Sequence, residues 1–121
     1  MNIRPSGLAW LRKRAGPVDG RVVVSKYYTE DEAFPHTPVW WFEFLEKRAL
    51  EERLLNLLCQ VAPTSSAFHH LQVPMSHFLE HKEKLGFRDD KFSLYLSAEK
   101  SRLFREIRGN GRIEFRKFKV E

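Results

Sequence analysis

His77, Glu80 and His81 are the residues whose types and spacing come nearest to chemistry. On a helix, positions i and i+4 share a face, so both imidazoles could meet one metal ion while the glutamate polarises a bound water. Lys82 and Lys84 follow directly and mark that surface as a solvated one. His69 and His70 could add ligands, but neighbours on a strand point to opposite faces, so only one of them could join. A nucleophile would have to be Cys59, the single cysteine, which lies in an apolar stretch where a thiolate is poorly stabilised and burial is the expectation. A metal-dependent nuclease needs acids converging near a lysine. Asp89, Asp90, Glu99 and Lys100 supply those types, as a chain with 16 acidic residues easily can.

His77, Phe78, Leu79, Glu80 and His81 resemble the H-x-x-E-H of inverted zinc peptidases over these five positions. The resemblance implies a third ligand well downstream, and only 40 residues follow His81. Glu99, Glu106 and Glu114 are the acids available there, and each is accounted for as a surface charge. Gly109, Asn110 and Gly111 are too short a run for a glycine-rich phosphate loop. The expectation is a non-enzymatic protein without metal or cofactor, with a metal-dependent hydrolase or nuclease as an alternative.

Charge gives a better lead. The 121-residue chain carries a formal +5, yet residues 100–119 alone hold eight basic side chains against Glu106 and Glu114. That local excess is larger than the charge of the whole chain, so the remainder is near neutral. Arg108, Arg112 and Arg116, with Phe104 and Phe118 predicted on the same face and Lys119 beyond, would supply guanidinium forks for phosphates and rings for unpaired bases. The alternative is a solvated sheet face whose arginines guard an edge and pair with Glu106 and Glu114, or a docking surface for an acidic protein.

The elements that must position these residues follow from pattern. Arg21 to Tyr28 is rich in β-branched and aromatic residues and reads as a strand. Val39 to Leu45 reads as a second, apolar on nearly both faces, which places it centrally in a sheet; of Trp40 and Trp41, facing opposite ways, at most one is free to meet a partner. Leu50, Leu54, Leu57, Leu58 and Val61 then recur at helical spacing and predict the one long helix, ending before Pro63. Ala67 to Val73 is a short strand or helical turn, and Ser76 to Gly86 a short second helix. Phe92, Leu94 and Leu96 alternate with Ser93, Tyr95 and Ser97 in a half-buried strand. The last segment reads as a β-hairpin about Gly109, Asn110 and Gly111 in a register that pairs Ile107 with Ile113.

These elements predict a single small α+β domain over 21–121, with a mixed or antiparallel sheet of about five or six strands and one long and one short helix on one face. Residues 1–20 form an N-terminal arm whose Leu8, Trp10 and Leu11 could dock on the domain or grip another subunit. No apolar run approaches the roughly 20 residues of a membrane span. The N-terminus is charged too early for a signal peptide, so the expected location is the cytoplasm. The expected function is a nucleic-acid-contacting module, part of a larger assembly, that binds the DNA or RNA backbone through the basic hairpin. The alternative is an adaptor whose basic face and arm bind an acidic protein or a second copy.

Overall fold

The computed structural model describes residues 2–32, 36–49, 51–109 and 112–120. Helix α1 (Arg4–Ala15) precedes β1 (Arg21–Ser25) and β2 (Val39–Leu45), and a single turn of helix, α2 (Glu46–Ala49), leads to β3 (Leu54–Gln60). Strand β4 (Phe68–Pro74), helix α3 (Met75–Glu80), β5 (Gly86–Arg88), β6 (Lys91–Ser97) and the two-residue β7 (Lys119–Val120) complete the order. The architecture is α+β, with seven strands among the described residues, in two sheets rather than one. The first sheet runs β1-β3-β4-β7, with β1 parallel to β3 and the other pairs antiparallel; the second, β2-β6-β5, is antiparallel throughout.

The sheets face each other across the main core. Trp40, Phe42 and Phe44 from β2 and Phe92, Leu94 and Leu96 from β6 meet Leu55, Leu57 and Cys59 from β3 and Leu71 and Val73 from β4, with Phe78 of α3 among them. A second, smaller core lies on the far side of the first sheet, where Leu11 of α1 packs with Leu58 and Phe68, flanked by Trp10, Val22 and Val24. Among the described residues the layers are therefore helix, sheet, sheet, with Trp41, Glu43 and Leu45 exposed on the outer face of the second sheet.

This layering overturns the long helix expected across Leu50 to Val61. Leu50 lies outside the described residues, and Leu54 to Gln60 is a strand. With β1 along one edge from Leu55 to Cys59, β4 along the other from Leu54 to Gln60, and a core on both faces, β3 is buried at every position from Leu55 to Gln60. A strand covered on both faces loses its polar alternation and becomes a continuous apolar run, in which helical spacing is satisfied by default. The central position expected of β2 belongs to β3. β2 has β6 as its one ladder partner, and its outward residues Trp41 and Leu45 are 39% and 37% exposed. Residues 4–15 form a helix, and it lies on the domain's own sheet: a Cβ at Gly7 would come within 2.7 Å of Val24 Cγ1.

The expected C-terminal hairpin is present only as a rudiment, and Asn110 and Gly111 of its loop lie outside the described residues. A single bridge pairs Arg105 with Glu114, supported by bonds from the Glu106 N–H to the Ile113 carbonyl (2.8 Å) and from the Phe115 N–H to the Phe104 carbonyl (3.0 Å). That register is one residue away from the expected pairing of Ile107 with Ile113. The first arm is fixed by β6 instead: Leu96 bridges Glu106, and the Ile107 N–H donates to the Tyr95 carbonyl at 2.9 Å. A slip of one residue exchanges the faces of a strand. Phe104 and Glu106, expected on the wet face, are buried, while Leu103 and Ile107 are half-exposed.

Candidate nucleic-acid interface

The basic side chains of the C-terminal segment remain on the surface despite the slip. Arg108, Arg112, Arg116, Lys117 and Lys119 are exposed, and none of them makes an ion pair among the described residues. Their neighbours are neutralised: Arg105 Nε donates to Glu114 Oε2 at 2.6 Å, and Arg102 pairs with Glu99. Three depressions join Arg108, Arg112, Arg116 and Lys117 into one track, while Lys119 lines a separate hollow beside Trp10, Arg14 and His70. The first, of about 570 Å³, runs over the outer side of the second sheet past Glu43, Ser93, Lys84, Arg88, Lys91 and Arg108 to Gly109. The second, about 540 Å³, begins at Gly109 and is lined by Arg102, Arg105 and Arg112. The third, about 480 Å³, shares Arg102 and Arg105 and continues to Arg116 and Lys117.

A buried carboxylate holds the junction. Glu106 accepts the Tyr95 N–H at 2.7 Å through Oε2 and the Gly109 N–H at 2.6 Å through Oε1. Burial raises its pKa, against the lowering effect of these backbone bonds and of Arg108. A Cβ at Gly109 would overlap the carbonyl oxygen of Lys84, so only glycine lets the segment lie this close to the turn before β5. Arg108 is carried out from this anchor and lies over the Tyr95 ring, 4.9 Å from its centroid.

Tyr95 stands directly opposite Trp41 in the β2–β6 ladder, with ring centroids 6.3 Å apart. The Trp41 indole N–H donates to Ser93 Oγ at 3.1 Å, which fixes the ring and leaves its face outward. Reasoning from sequence reached neither Tyr95 nor the pair. The readable signals were the alternation of Phe92 to Ser97, which turns Tyr95 outward, and the opposition of Trp40 and Trp41. What was missing was the register that sets Trp41 against Tyr95.

The aromatic residues first expected at the site have other places. Phe104 is buried with its ring stacked on Trp40 at 5.2 Å and its backbone in the left-handed region (φ 64°), so the core occupies the ring that was expected to meet a base. Phe118 is half-buried against His77, with centroids 4.7 Å apart. On α1, Leu11 is buried and Trp10 half-buried in the smaller core against Leu58 and Phe68, while Leu8 is half-buried outside that core.

His77 and His81 do lie together, with ring centroids 4.8 Å apart, while Glu80 is exposed. His77 is buried among Phe78, Phe115 and Phe118, and its Nε2 has no partner among the described residues. Among those residues no three His, Cys, Asp or Glu side chains come together as a metal site would require. Asp89 and Asp90, both at positive φ (53° and 62°), form the two-residue turn between β5 and β6, where short polar side chains tolerate left-handed backbone. Cys59 is fully buried, as expected, but on a strand, and desolvation pushes its thiol well up, away from a reactive thiolate.

No helix among the described residues is long and apolar enough to cross a membrane. No protein-family model, curated protein or solved structure matches this chain.

Proposed function

We propose that this chain is a nucleic-acid-contacting module, acting within a larger assembly, that takes the phosphate backbone on the basic surface of its C-terminal segment. The observation that carries the reading is the track itself: exposed arginines and lysines without acidic partners among the described residues, set along depressions that share their lining residues. An unpaired guanidinium at a surface costs little to keep, and it gains most from a partner of dense negative charge whose oxygens match its fork of donors. Arg112 and Arg116 are exposed along the track, while Glu106, which lines the same depression as Arg112, is withdrawn into the core. The site residues are Arg108, Arg112 and Arg116, with Lys117 added; Phe104 is removed by its burial, Phe118 by its packing on His77, and Lys119 by its place in the separate hollow beside Trp10.

The test is a fluorescence anisotropy titration against labelled oligonucleotides across a range of salt. Binding should weaken linearly in log salt, and Arg112→Glu and Arg116→Glu should each flatten the slope by about one or more and weaken all sequences alike. Absent binding at low salt, or binding indifferent to salt, removes the proposal.

A further inference from the structure

We infer that the strand bound along this track is unpaired, with its bases lying on Trp41 and on the Arg108–Tyr95 stack at the outer face of the second sheet. The inference rests on the nucleic-acid reading above and adds the ligand's form. Of the two outward sheet faces, one is covered by α1; on the other, Val39 and Ser97 are buried at one end, and beyond them β2 and β6 place two aromatic side chains opposite each other with Trp41 exposed. Trp41 is 39% exposed although its hydrogen bond to Ser93 leaves its N–H with nothing further to seek. What it offers is a flat apolar surface. Tyr95 is topped by the Arg108 guanidinium, and a guanidinium plane, like an aromatic ring, accepts a stacked base.

Charge singles out the occupant. Around the platform Lys91 is tied to Glu43 at 3.5 Å, Arg88 lies 3.9 Å from Asp89, and Lys84 shares the depression with the acid Glu83, so the net attraction for an anion comes from Arg108 and, past Gly109, from Arg112. An aromatic surface continuous with a line of cations fits a chain that alternates bases with phosphates. A duplex presents only phosphates and groove edges, because its base faces are already stacked on one another. A duplex could therefore use the arginines but not Trp41.

The experiment compares oligothymidylate and oligouridylate of about twelve nucleotides with duplexes of the same length, by anisotropy and by quenching of tryptophan emission. Both single strands should bind more tightly than either duplex, and a difference between the two identifies DNA or RNA as the natural form. Trp41→Ala should weaken single-strand binding roughly tenfold and leave duplex binding unchanged, since loss of one stacking partner typically costs that much. Trp41→Phe should restore most of the affinity, and Tyr95→Ser should reproduce the loss should Trp41→Ala fail to fold. Equal binding of single strands and duplexes, with neither variant selective, overturns this inference and leaves the track as a phosphate-binding surface. Absence of any binding removes the nucleic-acid reading together with it.

Discussion

Glu106 is a carboxylate that the sequence presents as one more surface charge and the fold uses as a clamp. Its two oxygens take the N–H groups of Tyr95 and Gly109, which ties the end of β6 to the start of the arginine track. Glu106→Ala leaves both donors buried without a partner and should cost about 2 kcal/mol, measured by urea unfolding. Because the anchored turn positions Arg108, the same variant should also weaken oligonucleotide binding. At this scale the exposure of Arg108, Arg112 and Arg116 could be read directly, since long cationic side chains rarely bury. The fate of Phe104 and Glu106 could not: it hangs on a register shift of one residue that β6, not the hairpin turn, decides.

At the scale of elements, β3 and α1 show two ways in which context overrides pattern. The run from Leu54 to Gln60 fits a helix by spacing, and it is a strand because β1 and β4 pair with its two edges while cores cover both of its faces. At 12 residues helix α1 is too short to be stable alone, and it persists because Leu11, Trp10 and Ile3 are buried or half-buried on the first sheet. Gly7 is the point of closest approach. Gly7→Leu, although leucine is the better helix former, should drive the helix away from Val24 and lower thermal stability. Trypsin should then cut faster after Arg12, Lys13 and Arg14. If cleavage and melting stay as in the parent protein, α1 is not held by this contact.

Across the whole molecule, three histidines make stability depend on pH with one sign. Burial lowers the pKa of His69, His70 and His77 below the ordinary value of 6.5, reinforced by Lys119, by Arg14, and by His81 with Lys117 respectively; at His77 the Glu114 backbone and Glu80 oppose the shift. The unfolded chain therefore takes up protons more readily than the native one as pH falls. The stability these groups contribute is complete above 6.5 and is lost as pH drops through that value toward their native pKa values. Melting temperature should decline on acidification over this window, and His77→Phe, which keeps the aromatic packing with Phe115 and Phe118, should reduce the decline. A decline unchanged by that variant would assign the effect to other groups.

Legible in the residues alone were the strands at Arg21, Val39 and Phe92, the burial of Cys59, the opposed directions of Trp40 and Trp41, and the basic surface near the C-terminus. These follow from side-chain chemistry and short-range alternation, which act within a few residues. Long-range pairing settled that Leu54 to Gln60 is a strand, that the strands divide into two sheets, and that Trp41 stands exposed opposite Tyr95 on the outer face of one. Each of those depends on pairing between segments far apart in the chain, where the free energy comes from the layers laid on either side and not from the order of residues within a segment.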